Sequence, residues 1–191
     1  MGAVYRRAMR KDASRLHDIR RRSILELASP TMPAAEAQAW ASKLTLSGME
    51  RKLRELEVWV AELDGVVVGW GAIHGDTLEG LYAAPEFAGQ GVGAGLLGML
   101  EGLIRDREFP SVRAEASTNA RGFYFRRGYR ATGPQTPKGA WPIAKETSAL
   151  KTGQEENKCD GRRPGFGGRL NRSRRLIFVP RGATLAPAWP G

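Results

Sequence analysis

Residues 81–104 read "LYAAPEFAGQGVGAGLLGMLEGLI", and six of these twenty-four positions are glycine. Glycine costs about 1 kcal/mol per helical residue relative to alanine, yet Val92, Leu96, Met99, Leu100 and Leu103 recur at helical intervals. The glycines fall into two sets. Gly95, Gly98 and Gly102 form a row on one flank of the predicted helix, where missing side chains let a helix lie close on a sheet. Gly89, Gly91 and Gly93 alternate in "AGQGVGAG", where the helix begins. The first N–H groups of a helix lack partners and its dipole favours an anion, so a stretch bare of side chains can wrap its amides around a pyrophosphate there. A plain flexible turn is the alternative.

Two phosphate-binding patterns compete for this segment. "GAGLLG", Gly93 to Gly98, fits G-x-G-x-x-G, and Glu115 stands near the spacing of a ribose-binding acid. Against it, "PEFAGQG" separates the preceding strand from the first glycine, and too little chain follows for the further βαβ units of a dinucleotide-binding sheet. A Walker loop is excluded because no Gly-Lys-Ser/Thr follows.

Outward from the loop, "VWVAEL", "DG" and "VVVGWGAIHG" predict a hairpin, since Asp-Gly supplies the positive φ that a two-residue turn demands. "DTLEGLYAAP" continues the meander as a third strand. Upstream, "VYRRAMRKDA" predicts a strand and turn. Asp12 or Ser14 then caps a helix over "SRLHDIRRRSILELAS", with an apolar stripe of Leu16, Ile19, Ile24 and Leu27 that ends at Pro30 and Pro33. "AAEAQAWASKL" is a second helix, and "GMERKLRELE" a helical or irregular lead into the sheet. Downstream, "SVRAEAS" reads as a strand, "NARGFYFRRG" as a short helix, and "YRATG" and "WPIAKETSAL" as the last strands.

The chain has 191 residues and a formal charge of +10, which looks like a nucleic-acid signal until it is divided. Residues 151–191 hold nine Lys or Arg against three Asp or Glu, a net of +6, which leaves +4 for the first 150. That excess lacks interleaved aromatics, which argues against nucleic acid as the partner. Residues 1–150 read as one domain. Residues 151–191 read as a basic Gly/Pro/Arg-rich extension with the composition of disorder, whose one apolar island, "RRLIFVPRG", could add a strand or bind a partner. No apolar run suggests a membrane span or a signal peptide, so a cytoplasmic protein is expected. Cys159 cannot form an intramolecular disulfide, and with only His17 and His74 beside it no metal is expected.

Strand, "PEFAGQGVG", helix, strand, "NARGFYFRRGY" is a pattern that resembles the GNAT superfamily of acetyl-coenzyme A-dependent N-acyltransferases, over about Val4 to Leu150. The resemblance implies an α/β (α+β) fold: a mixed, mostly antiparallel twisted sheet with helices on both faces, opened to hold acetyl-coenzyme A (acetyl-CoA) as co-substrate. It places Tyr82, Ala83 and Ala84 against the pantetheine arm and Ala88, Gly89, Gln90, Gly91, Val92, Gly93 and Ala94 around the pyrophosphate. Asn119 contacts the cofactor arm or caps its helix. The family motif is Gln/Arg-x-x-Gly-x-Gly/Ala, and here Ala88 stands where the polar side chain is usual, with Gln90 a partial substitute.

Tyr124 matches the family's general acid; its bland alternative is a core aromatic. An aliphatic amine is mostly protonated at neutral pH, so a base or water chain is needed. Glu79 is the candidate base, a solvated strand carboxylate being the equal alternative, and His74 is a weaker one. Gly80 would permit a bulge in "EGLYAA" that turns an amide inward. The expected reaction is direct acetyl transfer to a small-molecule or peptide amine in a ternary complex. The other reading is an inactive acyl-CoA-binding domain with a basic interaction tail. Trp40 and Trp141 suggest aromatic surface near the acceptor, and a homodimer is compatible with the sequence.

Overall fold

The computed structural model describes residues 2–28 and 32–147. The apolar island at 174–182 and the last residues of the "WPIAKETSAL" strand lie outside them.

Seven strands form one sheet in the order β1-β2-β3-β4-β5-β7-β6. β1 (Val4–Arg7), β2 (Glu57–Leu63), β3 (Val66–His74) and β4 (Thr77–Ala83) make an antiparallel meander. The β2–β3 turn is Asp64-Gly65, with φ of 50° and 78°. β5 (Ser111–Ala116) runs parallel to β4 and pairs on its other edge with β7 (Trp141–Glu146). β6 is only Arg130–Ala131, where "YRATG" promised a longer strand. The sheet is therefore mixed and mostly antiparallel, with helices on both faces.

On one face, α1 (Ala13–Arg22) and α3 (Leu46–Glu55) bury Leu16, Ile19 and Met49 against Val58, Val60 and Trp70. Thr45 caps α3 by accepting the Gly48 N–H at 3.1 Å, which settles "GMERKLRELE" as helix. On the other face lies α4 (Val92–Asp106). It buries Val92, Leu96, Leu97, Leu100 and Ile104, so the stripe is rotated from the expected one and Met99 and Leu103 are only partly covered.

The close approach of α4 to the sheet has a different source from the expected helix row. A Cβ at Gly98 would meet nothing within 4 Å, and at Gly102 only the Arg105 guanidinium at 3.7 Å. Gly95 alone of the row is crowded, against the Tyr5 hydroxyl. The bare surface is on β3: a Cβ at Gly69 would stand 2.8 Å from Val92 Cγ1, and at Gly71 2.6 Å from Leu100 Cδ1.

Two further expectations change. α1 runs into a π-helical turn, Ser23–Ala28, before α2 (Ala34–Ser42). The wider turn shifts the register of later side chains, so Leu27, read as core, is 38% exposed. Asp12 occupies the N-cap position of α1 without a capping bond there. Its carboxylate instead accepts the Met9 N–H at 2.7 Å and both Arg6 nitrogens at 2.8 and 3.1 Å, while Arg6 also binds Glu62 on β2. Asp12 is buried, and the Arg6 guanidinium holds its carboxyl below the usual range.

Two measurements check this packing. In urea unfolding, Gly71→Ala should cost about 1–3 kcal/mol by overpacking, whereas Gly98→Ala should gain about 0.5–1 kcal/mol because it fills open space in a helix. The Asp12 carboxylate stabilises the fold above its unfolded pKa of about 4, and that contribution disappears as pH falls through its lower folded value. Asp12→Asn should therefore cost about 1–3 kcal/mol at pH 7 and flatten the acid limb of a stability–pH curve.

Candidate active site

β4 and β5 pair only at Thr77↔Arg113 and Leu78↔Ala114. On its other edge β4 pairs Gly80 with Ala72 and Leu78 with Ile73, which leaves Glu79 as an extra residue in a bulge beside the glycine expected to permit one. Past that point the two parallel strands separate. One edge of Gly80–Ala83 stays bound to β3, and the other faces a gap. Backbone N–H and C=O groups left on such an edge need a partner.

The gap is a cleft of about 190 Å³. Leu81, Tyr82 and Ala83 from β4 form one wall; Ser117, Asn119, Ala120, Phe123 and Tyr124, from the β5 end and α5 (Thr118–Phe125), form the other. Gly93 closes the side toward α4, and Ile24, Leu27 and Trp40 close the side toward the π-turn and α2. A wider hollow of about 390 Å³ lies beside Phe125 and Gly128, past the end of α5, and holds none of the predicted residues.

At Gly93 the cleft meets the loop that leads into α4. Gly89 and Gly91 have φ of 78° and 86°, a left-handed backbone that side chains disfavour. The first intrahelical bond is Gly95 N–H to Gly91 O at 2.9 Å, so the amides of Val92, Gly93 and Ala94 begin the helix with no carbonyl of their own to bind. Gly93 is the close neighbour of Phe123, whose ring lies 3.8 Å from where a Cβ would be. Gln90 is committed elsewhere: its side-chain amide donates to Glu86 O at 2.9 Å. Glu86 in turn binds Arg22 at 3.0 Å, which ties the loop to α1. Its own amide N–H, then Arg22, hold its carboxyl below the usual range.

Tyr124 is buried, packed edge-on to Phe123 and Tyr129 with ring centroids 5.2 Å away in each case. Burial pushes its phenol well above the usual value. Tyr129, also buried, is pushed up by burial and by nearby Glu101. Asn119 is not the helix cap; that position is Ser117, whose hydroxyl donates to Asn119 Oδ1 at 2.7 Å. Glu79 is exposed on its bulge and His74 is exposed at the end of β3; neither lines the cleft. Ala84 is fully buried and gives its N–H to Val68 O at 2.8 Å; it lies outside the lining, as do Ala88, Gly89, Gln90, Gly91, Val92 and Ala94. Trp40 lines the cleft, whereas Trp141 is against Arg121 at 4.6 Å, outside it.

The π-turn residues and Arg20 were not legible as site residues. Arg20 sits in the run "RRR" that reads as a solvated face, yet it is only 8% exposed. It donates to Ala41 O at 3.1 Å and Trp40 O at 3.3 Å, and lies 5.8 Å over the Tyr82 ring. One signal was available: Arg20 stands four residues after Leu16, on its face of the helix.

A family model for the acetyltransferase (GNAT) domain matches residues 28–141. Among solved structures, a GCN5-related N-acetyltransferase from Rhodopseudomonas palustris superposes with a TM-score of 0.71 at 26% identity, covering 77% of this chain and 97% of its own. The PaiA N-acetyltransferase from Thermoplasma acidophilum, in complex with coenzyme A, gives 0.66 at 18% identity, covering 77% and 100%. YncA from Salmonella typhimurium, a putative acetyltransferase solved with acetyl-CoA, gives 0.53 at 22%, covering 76% and 94%. A search of curated proteins finds no match.

The buried phenols give a spectroscopic prediction. Tyr124 and Tyr129 are two of four tyrosines, and in the folded protein both should stay protonated at pH 11. Phenolate absorbance at 295 nm should then be unchanged by Tyr124→Phe in the native protein and reduced by it in denaturant. Because the unfolded phenol ionises near 10, stability should fall as pH rises above that value.

Proposed function

The chain belongs to the GNAT acetyltransferase family, and we propose that it moves an acetyl group from acetyl-CoA to a primary amine by direct attack in a ternary complex. The observation that carries this is the meeting, at one cleft, of the unpaired β4 edge, Gly93 at the start of α4 and the Tyr124 ring. Acetyl-CoA supplies an activated thioester; everything else comes from the chain.

The amides of Gly89, Gly91, Val92, Gly93 and Ala94 suit the pyrophosphate, helped by the helix dipole. Ala88 offers no side-chain donor, and Gln90 braces the loop from within by its bond to Glu86 O. The free edge at Tyr82 and Ala83 can add the pantetheine arm as a further strand, with a β4 N–H facing the carbonyl oxygen as negative charge grows there. Ala84 anchors that strand to β3, and Asn119 flanks the arm from α5.

In the transfer, the amine nitrogen bonds to the acetyl carbon, the carbon–sulfur bond breaks, and the sulfur leaves with the electron pair. Tyr124 donates its proton to that sulfur; burial keeps the proton in place until charge develops beside it. The nitrogen loses its proton through water to Glu79, whose exposed position suits a solvent-linked base better than direct contact.

The inactive-domain reading draws on one observation, the missing side-chain donor at Ala88. On either reading we assign residues 1–150 to the acyl-CoA-binding domain and 151–191 to a basic extension. Among the described residues no helix is long and apolar enough to cross a membrane, consistent with our assignment to the cytoplasm.

The test is turnover set against binding. Tyr124→Phe should lower kcat by about 100-fold or more and leave calorimetric binding of acetyl-CoA intact. Glu79→Gln should lower kcat by about tenfold or more and leave calorimetric binding of acetyl-CoA intact. Binding of acetyl-CoA without thiol release for any amine would favour the inactive domain.

A further inference from the structure

The acceptor side of the cleft has an unusual poverty of charge. Its wall is Ser23, Ile24, Leu27 and Ala28 from the π-turn, joined by Trp40 from α2. Among the described residues, none that lines the cleft carries a carboxylate or a basic side chain. Residues 29–33, which join the π-turn to α2, are Ser-Pro-Thr-Met-Pro and bring none by sequence. Two carboxylates on neighbouring segments, Glu26 and Glu86, are paired with Arg22, each at 3.0 Å.

The one charge beneath this wall is positive. Arg20 is buried, shows no ion pair among the described residues, and touches the backbone of Trp40 and the ring of Tyr82, both of which line the cleft. Its charge repels a second ammonium group and favours the neutral form of an attacking amine. Its nitrogens donate to Ala41 O and Trp40 O, so they are not set out to receive an acceptor's carboxylate. A polyamine or an aminoglycoside requires carboxylates, and a free amino acid requires an exposed cation; this wall offers neither.

We infer that the acceptor is a monoamine on a compact apolar body, preferably aromatic, seated against Trp40 and the Ile24, Leu27 and Ala28 side chains of the same wall. This rests on the transferase reading above. The chemistry balances as that reading states: a carbon–nitrogen bond replaces the carbon–sulfur bond, the sulfur gains one proton and the nitrogen loses one. The aromatic body contributes burial against Trp40 and offset stacking.

The experiment compares 2-phenylethylamine, spermidine and glutamate as acceptors for the full chain, by thiol release, with acetyl-CoA binding followed calorimetrically. 2-Phenylethylamine should exceed both others in kcat/KM by about tenfold or more, the discrimination an apolar pocket provides. Trp40→Ala should lower that value by about tenfold while the Kd for acetyl-CoA stays unchanged. Leu27→Asp, at a position already 38% exposed, should shift preference toward spermidine. A preference of the unaltered chain for spermidine or glutamate, or indifference to both substitutions, overturns the inference and leaves the transferase reading standing. Absence of acetyl-CoA binding, or of thiol release with every amine, sinks the transferase reading itself.

Discussion

Everything in this molecule that bears on chemistry depends on two adjacent strands that stop pairing. β4 and β5 hold together through Leu78 and then part, at a bulge where Glu79 has no partner on β3. Parallel pairing broken in the middle of a sheet leaves backbone donors and acceptors that the fold itself does not use. The sheet tolerates this because each strand keeps its other neighbour: β4 is held by β3 across Gly69–His74, and β5 by β7 along six residues. Both strands deliver a helix start to the same gap. The loop after β4 leads to α4, and the end of β5 leads directly to α5 and Tyr124.

The remaining wall comes from the other face of the sheet, through a buried cation. Arg20 binds the last carbonyls of α2, where a positive charge is favourable to the helix dipole. It bridges the Trp40 carbonyl to the Tyr82 ring, and Tyr82 is itself packed on Trp70 at 4.9 Å. Trp70 ties back to α1 by donating to Leu16 O at 2.9 Å. One residue thus joins α1, α2 and β4 around the cleft.

What the sequence disclosed was local backbone chemistry. The Asp64-Gly65 turn, the alternating strands and the glycines before α4 each require a particular φ or side-chain period, and those requirements are written in consecutive residues. The wide helical turn at Ser23–Ala28 was hidden because its residues are ordinary helix formers. The source of the helix–sheet approach was misread for a related reason. Gly95, Gly98 and Gly102 present an obvious row, but only distance reveals that Gly69 and Gly71 are the ones standing against α4. The separation of β4 from β5 was expected from resemblance; nothing in "EGLYAA" alone says where pairing ends.

The two margins of the sheet differ in how they deter unwanted neighbours. β6 offers two residues, too short to template a foreign strand. β1 is four residues long and carries Arg6 and Arg7 in sequence, one turned into an ionic cluster and the other half out in water. Charge at one margin and brevity at the other are standard protections against edge-to-edge growth. A sheet with unpaired backbone at its centre thus carries, among the described residues, a short strand at one margin and a charged one at the other.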